Sequence, residues 1–281
     1  MDYYDEIKEI VGEQTNYIQY IPNIEYNQVV NAQPNWRLAF RSLSMSLILP
    51  RFVEKPAPVI IWIAGGGFRT LDKDHFMPGL VRFAEQGYAV ASIEYRLLHE
   101  AAFPAPLHDV KAAIRYLRAN AGRYRIDPGR IALWGESAGG FLALLAGASG
   151  DVKALEGDGM WLGESTGVQA IVDWYGSTAP SERIVGGPLS EEKYKELAVQ
   201  LNPSTYLSEE TPPILIMHGD SDTLVPCRAS EAFFNRLKQA RADAQMYKVK
   251  GSGHFTHAFS QPQLLKIVMD FLDDKLKAPN V

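Results

Sequence analysis

Cysteine is nearly missing from this chain: Cys227 is the only one in 281 residues, so no intrachain disulfide framework can hold it together. Long hydrophobic runs are missing too. The longest, residues 59–64, falls far short of the ~20 apolar residues that a membrane-spanning helix needs. A basic excess is absent as well: 28 Lys and Arg stand against 33 Asp and Glu, a net charge of −5. That balance offers no footprint for a phosphate backbone. Neither nucleic acid nor a membrane is therefore expected as a partner. The opening Met1, Asp2, Tyr3, Tyr4, Asp5 and Glu6 lack the positive and apolar regions of a signal peptide, so a cytoplasmic protein is expected. Repeats and low-complexity tracts are also lacking.

What is present is an ordinary globular composition, 46% hydrophobic and 22% charged, in a chain long enough to bury a large core. Short apolar runs alternate with stretches of helical period. Strands are expected at 58–64, 87–93, 130–134, 168–174, 213–218 and 245–249. Helices are expected between 76 and 84 and at 107–120, 137–148, 229–240 and 263–276. That rhythm is the signature of βαβ units, so the fold class is α/β with a mostly parallel twisted sheet and helices on both faces. Upstream, 25–30 and 42–49 read as extended; the polar–apolar alternation of Ser42, Leu43, Ser44, Met45, Ser46 and Leu47 marks a half-solvated antiparallel strand at the N-terminal edge. Residues 1–281 are expected to form a single domain. Within it, 176–212 breaks the rhythm, with one modest helix at 191–200 between proline- and glycine-containing loops, and is expected to be a lid or cap insertion.

Gly135, Glu136, Ser137, Ala138 and Gly139 fit Gly-x-Ser-x-Gly, with an expected strand before and a helix after. A serine at such a sharp strand-to-helix turn needs small neighbours, and its hydroxyl projects at the carboxyl end of the sheet. A hydroxyl is a weak nucleophile, so a base and a group orienting that base are required. Two loops past strand ends supply them. The first holds Asp220 and Asp222; Asp222 lies deeper and is preferred, with Asp220 left to shape the turn. The second runs Gly251, Ser252, Gly253, His254; His254 is preferred over His257, which reads as helical or surface. Ser137, Asp222 and His254 also stand in the chain order nucleophile, acid, base. Ala64, Gly65, Gly66, Gly67 and Phe68 follow the first buried strand, and consecutive glycines let backbone amides approach a ligand closely. The amides of Gly66, Gly67 and Ala138 are the candidate oxyanion donors. Trp174, Tyr175, Tyr194 and Tyr206 are candidates to flank an aromatic or sugar alcohol. Cys227, at an expected helix start, is read as a small buried hydrophobe.

On these motifs the sequence resembles the α/β-hydrolase superfamily, and within it the esterase/lipase branch with a His-Gly-Gly-Gly loop and a Gly-x-Ser-Ala-Gly-Gly elbow. The resemblance runs from about Val59 to the C-terminus and includes Glu94, Tyr95, Arg96, Leu97 and the run from Phe103 to Asp109. Small bacterial acetyl-xylan, feruloyl and other short-acyl carboxylesterases are the nearest in character. The resemblance implies an α/β-hydrolase fold and a carboxylesterase acting on small-molecule, acetyl-type esters through Ser137, Asp222 and His254, with no cofactor and no metal. One departure is plain: Ala64 stands where the branch has the histidine that helps to pose its glycine loop. An amidase acting on formyl amides, or a peptidase similar to prolyl oligopeptidases, would use the same three residues. A non-enzymatic ligand-binding relative is disfavoured because all three are present. The oligomeric state is left open.

Overall fold

All seven residues of β3 (Ala57–Ile63) are buried, because helices cover both faces of the strand and leave no side for polar residues. The computed structural model describes residues 12, 17–32, 38–51, 53–180, 190–255 and 257–277. Around β3 the chain order is β1 (Ile18–Ala32), β2 (Leu38–Pro50), β3, α1 (Met77–Glu85), β4 (Ala89–Ile93), α2 (Ala105–Ala119), α3 (Ala121–Tyr124), β5 (Ile126–Glu136) and α4 (Ala138–Ala148). There follow β6 (Ala170–Trp174), α5 (Glu191–Gln200), β7 (Ile214–Gly219), α6 (Cys227–Gln239), β8 (Ala244–Val249) and α7 (Pro262–Leu272). The strands form one sheet in the order β1-β2-β4-β3-β5-β6-β7-β8. β2 pairs antiparallel with both β1 and β4, and every other pairing is parallel. The expected α/β architecture with an antiparallel N-terminal edge is therefore what forms.

Strand alternation divides the core in two. Val59, Ile61 and Ile63 of β3, with Ile131 and Leu133 of β5, face Leu107, Val110, Ile114 and Leu117 of α2 and the apolar face of α4. Ile60, Trp62 and Trp134 point the other way, onto Leu80 and Phe83 of α1 and Leu265, Val268 and Phe271 of α7. Trp62 and Trp134 are register partners on neighbouring strands and meet edge to face with ring centroids 5.2 Å apart; Trp134 meets Trp174 in the same way at 4.7 Å. α4 is buried from Ala138 through Gly147, as its uniformly apolar sequence requires.

The strands differ from expectation mainly in length. β1 begins at Ile18 rather than near residue 25, because backbone pairing with β2 continues to Ile18↔Pro50 through two register shifts. Its outer face is solvated, so exposed Tyr20, Glu25 and Gln28 hide the strand in a hydrophobic pattern. Of the expected cap insertion, 181–189 lie outside the described residues. The following α5 turns Leu197 inward, and Leu201 just beyond it is also buried in the main core. No helix among the described residues is long and apolar enough to cross a membrane.

Candidate active site

Because β3, β5, β6, β7 and β8 are parallel, their carboxyl ends share one edge of the sheet, and the loops leaving them converge there. β5 delivers Ser137. Its backbone sits at φ 52°, ψ −117°, a strained conformation for a residue with a side chain. The turn exists only because its neighbours are small. A Cβ on Gly135 would stand 2.2 Å from the Gly139 carbonyl oxygen, and one on Gly139 would stand 1.9 Å from that of Ile63. The Ser137 amide donates to the Trp174 carbonyl at 2.8 Å, tying the turn to β6.

β7 and β8 deliver the other two groups. Ser137 Oγ donates to His254 Nε2 at 2.8 Å, and His254 Nδ1 donates to Asp222 Oδ2 at 2.6 Å. Asp222 Oδ1 accepts the amides of Leu224 and Val225 at 2.8 and 2.9 Å. Burial pushes the Asp222 carboxyl upward. The hydrogen bond from His254 and the two amides outweigh it and hold the group below the usual carboxylate range. An ionised carboxylate thus orients an imidazole that faces a hydroxyl, the arrangement that lets the hydroxyl lose its proton as it attacks.

The neighbouring candidates fall elsewhere. Asp220 is exposed, and its Oδ1 accepts the Gly251 amide at 2.7 Å and the Ser221 hydroxyl at 3.0 Å, so it shapes the loop pair. His257 is exposed in a short 3-10 turn. Trp174 does not flank the site: it lies in the core between the sheet and α7. Tyr194 and Tyr206 pack against the opposite core. Of the four aromatic candidates only Tyr175 reaches the cluster, its ring 4.8 Å from that of His254. Cys227 is buried, and burial together with the Glu231 charge pushes its thiol up.

The glycine loop lies against the serine turn. Gly66 and Gly67 have φ of 129° and 59°, and a Cβ on Gly65 would come within 3.1 Å of the Ser137 Cβ. Ala138, as the first residue of α4, carries an amide that the helix itself leaves without a partner. Tyr95 donates from its hydroxyl to the Ala64 carbonyl at 2.8 Å.

Several groups around the cluster carry no motif of their own. Phe255 packs its ring 4.2 Å from His254 and is 53% exposed. His218 is fully buried, with Nε2 donating to the Val225 carbonyl at 2.8 Å and Nδ1 2.8 Å from Ser230 Oγ. Glu136, the first variable residue of the Gly-x-Ser-x-Gly pattern, is buried beside His75 and Tyr175. The only hint of them in the sequence is adjacency: Glu136 precedes the serine, Phe255 follows the histidine, and His218 is the next-to-last residue of β7.

A parallel sheet with one antiparallel strand, a strained serine between β5 and α4, and an acid and a histidine after β7 and β8 define an α/β-hydrolase. The BD-FAE family model matches residues 45–237, and the chain belongs to that family. It is 30% identical to esterase LipC of Mycobacterium tuberculosis over 71% of its own length. The chain spans about half the length of such curated relatives, 53% for LipC. Among solved structures it is similar to a truncated carbohydrate esterase from gut microbiota, with TM-score 0.80 and 28% identity over 95% of this chain and 99% of that one. Esterase 2 of Thermogutta terrifontis shares the fold, with TM-score 0.76 and 22% identity over 92% of this chain and 95% of the other.

Proposed function

We propose that this chain is a serine carboxylesterase that hydrolyses short, acetyl-type acyl esters, with Ser137 as nucleophile, His254 as base and Asp222 as the acid that orients it. The observation that carries the reading is the continuous relay from Ser137 Oγ through both nitrogens of His254 to Asp222, at 2.8 and 2.6 Å. Ser137 Oγ attacks the ester carbonyl carbon while His254 Nε2 takes its proton, and Asp222 stabilises the imidazolium. The bond to the alcohol breaks as His254 returns that proton to the departing oxygen. Water then gives a proton to His254 and attacks the acyl-serine, and the acid leaves as Oγ is reprotonated. The amides of Gly66, Gly67 and Ala138 stabilise the oxyanion, each such donor being worth about 3 kcal/mol in the transition state.

Membership of the BD-FAE family and likeness to proteins named as esterases support ester hydrolysis. A small acyl group is favoured by Phe68, which directly follows Gly67 and is buried against Phe103 and Phe141, so that aromatic rings fill the space beside the loop. A bulky alcohol is favoured by the exposed apolar rim of Leu224 and Phe255, and the likeness to a carbohydrate esterase favours a carbohydrate there. Ser137→Ala abolishes turnover of a chromogenic acetyl ester without changing the circular dichroism spectrum; retained turnover refutes the proposal. A panel of acetyl ester, octanoyl ester, N-formyl amide and prolyl amide tests the substrate class, and acetyl ester is hydrolysed fastest.

A further inference from the structure

The relay accounts for Ser137, His254 and Asp222, but a second polar cluster, centred on buried Glu136, touches both the glycine loop and the serine turn. Glu136 Oε1 accepts His75 Nε2 at 2.9 Å and the Gly65 amide at 3.3 Å, and Glu136 Oε2 accepts the Tyr175 hydroxyl at 2.6 Å. His75 Nδ1 lies 2.8 Å from the Asp72 carbonyl oxygen. A carbonyl and a carboxylate only accept, so His75 donates from both nitrogens and is an imidazolium. Its ring is also held by aromatic neighbours, 6.1 Å from Trp62 and 6.4 Å from Phe76.

Consecutive glycines give the 65–67 loop wide conformational freedom, and freedom is a cost wherever amides must wait in a fixed geometry for a developing charge. Ala64 offers the loop no polar side chain. The Arg69 and Thr70 amides close a turn onto the Gly66 carbonyl at 3.1 and 3.2 Å, and two groups remote in the chain grip the loop's start: Tyr95 at the Ala64 carbonyl and Glu136 at the Gly65 amide. Glu136 is bonded directly to Ser137, so it ties the loop to the nucleophile's own backbone. We propose that Glu136, held by His75 and Tyr175, is a positioning residue that sets the Gly66 and Gly67 amides against Ser137. The proposal deepens the esterase reading and rests on it. The cluster's partners agree in charge. Burial pulls the Glu136 carboxyl upward, yet hydrogen bonds from His75 and Tyr175, the His75 charge and the Gly65 amide keep it below the usual carboxylate range. The hydrogen bond to Glu136 in turn raises His75 to about 9, against the opposing effect of burial.

The test is steady-state kinetics on an acetyl ester, with fluorophosphonate labelling of Ser137 in parallel. Glu136→Ala lowers kcat about tenfold to a hundredfold with KM changed less than about threefold, as expected when reacting groups shift by about an ångström. Glu136→Gln keeps an acceptor for the Gly65 amide and recovers part of that loss. His75→Phe, at a half-exposed residue whose replacement preserves the ring packing, lowers kcat about tenfold in the native background but less than about twofold in Glu136→Gln, because it acts through Glu136. The positioning role is overturned if folded Glu136→Ala keeps its kcat, if only KM moves, or if His75→Phe costs the same in both backgrounds. Wild-type enzyme that fails to label at Ser137 refutes the relay itself, and this proposal with it.

Discussion

His218 Nε2 lies 3.2 Å from Asp222 Oδ2, the same carboxylate oxygen that His254 holds at 2.6 Å. The Val225 carbonyl fixes the proton on that nitrogen, and burial lowers the pKa of the ring, so His218 is neutral and adds a hydrogen bond without a competing charge. His218→Phe removes this bond and leaves the Ser230 hydroxyl and the Val225 carbonyl without their partner. It costs about 2–3 kcal/mol of stability, read from urea unfolding. The folded fraction loses less activity than Asp222→Asn does.

Asp220 and Asp222 share a loop but not an environment. Asp222→Asn puts an amide opposite His254 Nδ1, and on the precedent of triads in general kcat falls about 10³- to 10⁴-fold. Asp220→Asn retains the oxygen that accepts from Gly251 and changes kcat less than about twofold. Paired kinetics on the two variants decide the assignment, and equal losses contradict it.

The raised pKa of His75 makes stability depend on pH on the alkaline side. A group held above its ordinary 6.5 contributes fully below that value, and its contribution is lost as pH rises through about 9. Thermal melts of the wild type therefore show Tm declining between about pH 7 and pH 9.5, whereas His75→Phe shows a flatter profile over the same window. Parallel profiles would mean that His75 is not the group responsible.

Glycines around the serine turn differ in what they tolerate. Gly139→Ala drives a methyl onto the Ile63 carbonyl and costs at least about 3 kcal/mol, far more than the roughly 1 kcal/mol alanine gains by helix propensity. Gly67 has open space around its missing Cβ, so Gly67→Ala carries only the strain of its positive φ, about 1–2 kcal/mol. Chemical denaturation of the two variants separates them.

Much of this protein is determined along the chain. The unbroken apolar run of β3 requires cover on both faces, and the small residues flanking Ser137 allow its strained turn. The order of Ser137, Asp222 and His254 places each just past a strand. Those are local requirements of sterics and burial, and a linear sequence records them. Tertiary structure alone decided the rest. It buried Trp174 and Tyr175 in the same cluster yet brought only Tyr175 to His254, because the chain turns out of β6 there, with Tyr175 at φ 42°. It brought His75 to Glu136, since that contact depends on where separate segments end in space, and no spacing in the sequence encodes which distant polar side chain a buried carboxylate will meet.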